Sequence, residues 1–164
     1  SWQERTRRLE ILKDSHAGAF AIITAGVYFI MWLGAWSQLQ NDSVGICIMS
    51  IGFMMSRCLS GIGVITFPKA RTDGTVAEFS RNASEIVVRN ILTAMFVVLA
   101  GLMIWINPVS GVAAVISAIL VFCWYHHMAM KYFGGTTGDL SGFFLCICEV
   151  VMALVLAFAG AVIL

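Results

Sequence analysis

Gly134-Gly135-Thr136-Thr137-Gly138 combines three glycines and two threonines in five residues, and Asp139 follows directly. Glycine lets backbone N–H groups approach an oxyanion, threonine adds hydroxyls, and the start of a following helix adds a favourable partial charge. The stretch is not a P-loop, because the Gly-Lys-Ser/Thr ending is absent. Asp139 would repel a bare phosphate, so the expected order is carboxylate, Mg²⁺, then phosphate. The purely structural alternative makes Asp139 the N-cap of the helix behind it. Lys13-Asp14, Pro68-Lys69-Ala70-Arg71 and Lys131 are the other polar candidates, and Asp14 has the same alternative as a cap.

The elements that must position these groups are membrane helices. Only 12% of the 164 residues are charged, 60% are hydrophobic, and mean hydropathy is +0.90. No Asp, Glu, Lys or Arg occurs between Ser15 and Asn41, and Arg57 stands alone between Ser43 and Pro68. From Asn90 to Leu164 there are only Lys131, Asp139 and Glu149. A spanning helix needs about 20 apolar residues, and these gaps accommodate five spans, near 17–36, 43–66, 88–106, 109–130 and 140–164. The fold class is therefore an all-α polytopic membrane bundle, with residues 1–16 as an amphipathic surface segment and 17–164 as one transmembrane domain. A soluble enzyme, a disulfide-framed secreted module and a nucleic-acid binder are excluded. The five cysteines all lie in apolar stretches, and Cys146 and Cys148 point about 200° apart on a helix, so neither pair chemistry nor a metal is expected of them.

Of the ten Lys and Arg residues, all but Arg57 fall in the N-terminal segment, the loop between the second and third spans with its edge, or the loop before the fifth. The positive-inside rule makes that face cytosolic and puts the C-terminus outside. Every candidate motif then lies on the cytosolic face, as a site for a charged, water-soluble substrate would. Trp2, Leu9 and Leu12 share one face of a surface helix. Thr75-Val76-Ala77-Glu78 reads as a capping box, and Asn82-Ala83-Ser84, on the cytosolic side, would be inert as a glycosylation acceptor. The chain opens at Ser1 without an initiator Met, as a fragment or processed product would.

Arg57 and Glu149 are intramembrane charges, and because such groups cost several kcal/mol each is by default a functional candidate. Arg57 precedes the end of its span by nine residues and Glu149 follows the start of its span by nine, so both lie about 14 Å below the same face. They are expected to pair, or to line one polar cavity. Glu149 is about 15 Å from Asp139 along a straight helix, so the two are not expected to share a metal unless the glycine loop folds back.

Taken in order, these motifs resemble the cobalamin synthases, the adenosylcobinamide-GDP ribazoletransferases. The resemblance is carried by Arg8 through Ser15, Ser56-Arg57, Phe67-Pro68-Lys69-Ala70-Arg71 with Gly74, Lys131 through Gly142 (KYFGGTTGDLSG), and Glu149. It runs from Arg5 to the last span. It implies a Mg²⁺-dependent enzyme of a bacterial or archaeal cell membrane that joins α-ribazole, or its 5′-phosphate, to adenosylcobinamide-GDP and releases GMP. Asp139 would then be a metal ligand, with Gly134, Gly135, Thr137 and Gly138 as its phosphate-side loop. Lys13, Lys69 and Arg71 would bind phosphate, and Asp14, Arg57 and Lys131 would join Asp139 in the catalytic set. Family members also carry an Asp-rich motif in a preceding membrane segment, and nothing like it occurs here. The 164-residue chain is therefore expected to be inactive alone. Phe143-Phe144 departs from the small residues of many relatives, which bears on pocket shape. Partners are the two substrates, the bilayer, and further copies or other B12 enzymes. A non-catalytic scaffold for such enzymes and a small transporter subunit are the competing readings, and the acidic signature of the CDP-alcohol phosphotransferases is absent.

Overall fold

A computed structural model describes residues 4–14, 16–70 and 85–163, without the side chains of Arg5, Thr6, Lys13 and 161–163. Helix α1 (Arg5–Lys13) is followed by α2 (Ala19–Leu39), α3 (Ser43–Thr66), α4 (Glu85–Ile106), α5 (Pro108–Met128) and α6 (Gly138–Ile163). A π-helical turn, Ala129–Phe133, prolongs α5. Helices α2 to α6 are long and apolar enough to cross a membrane, so the chain is a polytopic helical bundle.

Polar residues set the helix ends. Asp42 accepts from the Val44 N–H at 3.1 Å to open α3. Asn107 accepts from the Ser110 N–H at 3.0 Å, and Pro108 occupies the first turn of α5, where its missing N–H costs nothing. This cap is what makes the α4–α5 connection tight. Gly111 completes it, since a Cβ there would lie 2.4 Å from the Met103 carbonyl oxygen.

Helix α3 is the axis of the bundle and packs on α4, α5 and α6, while α2 rests mainly on α6. The core runs along these seams through Ile48, Met49, Met55, Tyr125, Phe144 and Met152. Phe144 lies wholly buried between the Phe122 and Tyr125 rings, 5.6 and 5.0 Å away, whereas Phe143 is exposed near Trp124. The aromatic pair therefore serves packing first. Helices α2 and α4 turn most of their apolar side chains outward, as lipid-facing helices do. Trp105 and Trp124 are exposed, whereas Trp32 and Trp36 are half-buried against the core and Tyr125 is wholly buried.

One sequence expectation shifts: the first span begins at Ala19 and extends to Leu39. Helix α1 meets the bundle end, where Arg8 donates to the Tyr132 carbonyl at 3.2 Å and Leu12 packs against the core. Trp2, the capping-box segment and Asn82-Ala83-Ser84 lie outside the described residues.

Candidate functional site

The glycine loop is built from the end of α5 outward. The π turn stops at Gly134, whose φ of 68° is left-handed and accessible to glycine without strain. Its N–H donates to Met130 O at 3.1 Å, and that of Gly135 donates to Ala129 O at 3.2 Å. Gly135 then passes directly against the segment after α3. An added Cβ would sit 2.4 Å from Pro68 O and 2.7 Å from Ala70 N, so only glycine fits there.

That contact continues as a parallel bridge between Lys69 and Thr136. Thr136 N–H donates to Pro68 O at 2.8 Å, and Ala70 N–H donates to Thr136 O at 3.0 Å. The Thr136 hydroxyl is buried and hydrogen-bonded to the Tyr125 hydroxyl. Two motifs about 65 residues apart in sequence are thus one local structure.

This wiring changes the roles expected of the loop. The N–H groups of Gly134, Gly135 and Thr136 point at protein carbonyls, not outward. The N-cap of α6 is Thr137, not Asp139: Thr137 Oγ1 accepts from Leu140 N–H at 3.3 Å, and its carbonyl takes Ser141 N–H at 3.0 Å. Its side chain is buried, so the hydroxyl is spent on the cap. Capping by Thr137 leaves Gly138 and Asp139 exposed in the first helical turn. Among the described residues, nothing donates to the Asp139 carboxylate, and the N–H groups of Gly138 and Asp139 have no carbonyl partner. Anion-binding capacity is therefore concentrated at this first turn.

The basic candidates separate. Lys69 folds back over the end of α3, its Nζ donating to Val64 O and, at 3.1 Å, to Phe67 O. It caps the last carbonyls of α3, and burial pushes its ammonium below the ordinary lysine value. Lys131 is exposed, with Nζ 5.5 Å from the centre of the Tyr132 ring, and the Arg8 guanidinium lies 5.3 Å from the same centre. The Lys13 side chain and all of Arg71 lie outside the described residues. Asp14 does not cap α2, whose N-cap is Gly18. It ends α1 in a local turn, accepting from His16 N–H at 3.0 Å and meeting His16 Nδ1 at 2.8 Å. The backbone N–H of His16, then its ring, hold the Asp14 carboxyl below its usual range.

Arg57 and Glu149 pair across the α3–α6 seam, and Ser56 Oγ donates to the same carboxylate oxygen at 2.9 Å. Nearer the glycine loop, Ser60 and Ser141 share a hydrogen bond of 2.6 Å. Tyr125, Tyr132 and the Ser60–Ser141 pair were not legible as site-shaping residues. Tyr132 and Ser141 fall within the Lys131–Gly142 motif, whereas Tyr125 and Ser60 carried no such signal.

The fold and this motif-bearing end define a polytopic membrane protein with an acidic, glycine-framed helix start at one end. The chain belongs to the cobalamin-5-phosphate synthase family, whose sequence model matches residues 1–157. It is 42% identical, over all 164 residues, to the adenosylcobinamide-GDP ribazoletransferase of Lachnoclostridium phytofermentans, of which it covers 62%. The enzymes of the same name from Pseudomonas syringae and Desulfitobacterium hafniense are 30% and 33% identical over 94% and 83% of this chain, which covers 61% and 54% of them. The chain thus spans little more than half to three fifths of these relatives' length. No solved structure matches it.

Proposed function

We propose that this chain forms the greater part of an adenosylcobinamide-GDP ribazoletransferase. In that reaction a hydroxyl oxygen of α-ribazole, or of its 5′-phosphate, forms a bond to the corrinoid-side phosphorus of the diphosphate. The bond to the GMP oxygen breaks, and GMP leaves. Such chemistry depends mostly on positioning and on charge neutralisation. The observation that carries the reading is the α6 start: Thr137 takes the cap, the Lys69–Thr136 bridge fixes the loop, and Asp139 is left exposed with free N–H groups beside it.

Magnesium belongs to this proposal. No three His, Cys, Asp or Glu side chains among the described residues gather into a metal site. Mg²⁺ commonly takes one or two carboxylates and completes its shell with water and substrate phosphate oxygens, and an exposed Asp139 free of protein donors suits that kind of site. When bound, the ion would offset the negative charge of the diphosphate. Lys131, beside the loop and exposed, would attract the same phosphates. Lys69 would act through the loop it supports. The basic loops support a cytosolic placement of this end, where both substrates would meet it.

The test is complementation. A chimera in which this chain replaces the matched part of the Lachnoclostridium phytofermentans relative is placed in a bacterium lacking its own enzyme. Growth dependent on cobinamide supports the reading. Expression in the membrane without rescue, where the intact relative rescues, would refute it and favour a scaffold.

A further inference from the structure

Arg57 is held by one edge only. Its contacts to Phe53 O at 2.9 Å, Ser56 Oγ at 3.1 Å and the Glu149 carboxylate all run through Nη1. The opposite edge, Nε–H with Nη2–H, is the fork that donates to two oxygens side by side. Among the described residues it has no partner, and the side chain is 57% exposed.

The depth of this edge is what demands an occupant. The guanidinium lies against Phe53, midway along the 24 residues of α3. At 1.5 Å rise per residue, Phe53 is about 15 Å from the start of α3 and about 20 Å from its end. Arginine at a helix centre costs about 3 kcal/mol on insertion scales, and such residues face protein or water, not hydrocarbon. Lipid phosphates sit about 15 Å away, at the edge of the hydrocarbon core.

Arg57 also lies on a continuous uncovered strip. Ser50, Met54 and Arg57, spaced by four and three residues, are all exposed on α3. Trp32 of α2 borders the strip through its 6.2 Å contact with Phe53, and Leu92 of α4 borders it against Gly61. A second copy of the chain does not complete it. Apart from Glu149, the described carboxylates Glu4, Glu10, Asp14, Asp42, Glu85 and Asp139 lie in or beside α1 or at span ends. Two such strips, parallel in one membrane, would bring Arg57 to Arg57, and the strip's hydroxyl, Ser50, lies about 10 Å away along the helix. The Lachnoclostridium phytofermentans relative is roughly 100 residues longer than this chain, and a further span takes about 20.

We infer that this strip of α3 is a helix-docking surface, occupied in a protein of the relatives' length by another membrane-spanning segment that sets a side-chain oxygen against the Nε–Nη2 edge of Arg57. Since Glu149 already neutralises Arg57, the segment need supply only acceptors, not a net charge. The inference rests on the reading that this chain is part of a longer protein, and not on the reaction proposed for that protein.

The experiment is photo-cross-linking in the chimera, with benzoylphenylalanine replacing Met54, and separately Ser50. Val98 of α4, 68% exposed, is the control position. Positions 54 and 50 should capture one segment of the unmatched part of the same polypeptide, identified by mass spectrometry, while position 98 captures lipid. Truncating the oxygen-bearing residue of that segment should lower thermal stability in the Arg57 protein and much less in Arg57→Met/Glu149→Met. Capture of lipid alone, capture of a second copy, or equal losses in both backgrounds would overturn the inference. Should the chimera not assemble, the intact relative labelled at the matching positions decides by the same criteria.

Discussion

Lys69 and Thr136 lie side by side in a parallel bridge, joined by hydrogen bonds of 2.8 and 3.0 Å through Pro68, Thr136 and Ala70. The bridge makes the turn after α3 and the loop before α6 a single rigid unit. Gly135 permits it, because its α-carbon faces backbone atoms that cannot move aside.

Gly135→Ala should therefore be destabilising by about 1–3 kcal/mol, as overpacking against fixed atoms is. Gly142→Ala, one turn into α6 with nothing within 4 Å, should be neutral or slightly stabilising. Thermal unfolding of the two variants in the same detergent checks this, and equal shifts would contradict it.

The Arg57–Glu149 pair should be energetically coupled. Glu149→Gln leaves a cation with reduced compensation deep in the bundle, and Arg57→Gln leaves a buried carboxylate held by Ser56 alone. A double-mutant cycle should return a coupling of about 1–3 kcal/mol, at the upper part of the usual range for contacting residues. Additive effects would mean that the pair contributes no net stability.

Span positions and the common depth of Arg57 and Glu149 were readable from the sequence, because hydropathy and a fixed helical rise decide both. Cap assignments were not. Thr137 and Asp139, like Gly18 and Asp14, are competing short residues near a helix start, and only the path of the entering chain selects between them. The Lys69–Thr136 bridge was illegible for a different reason: it depends on how α3 and α5 pack, which no local pattern encodes. The π turn that aims Gly134 likewise has no signature in Ala129–Phe133.

Asp14 should titrate below its ordinary value of 3.8 because His16 donates to its ionised form. The folded value is depressed, so this contact is present above the ordinary value and is lost as pH falls through the lowered one. Carboxyl-carbon NMR of the Asp14 signal, compared with the same chain unfolded in denaturant, reads the direction directly. A folded value at or above the unfolded one would show that the turn does not form.

Tyr125→Phe removes the partner of the buried Thr136 hydroxyl, which then has only Thr137 O at 3.4 Å. The loss should be about 1 kcal/mol, the usual net worth of such a bond, and should appear as a lower melting temperature. An unchanged melting temperature would mean that the hydroxyl finds another partner.

The central claim is that the start of α6 presents Asp139 to the reacting phosphates. The direct measurement is GMP release from adenosylcobinamide-GDP and α-ribazole by the purified chimera, with Asp139 intact or replaced in Asp139→Asn, and with magnesium titrated from zero. Asp139→Asn should abolish most of the release while leaving the melting temperature unchanged, because Thr137 and not Asp139 caps the helix. Full GMP release from the substituted protein would contradict the account.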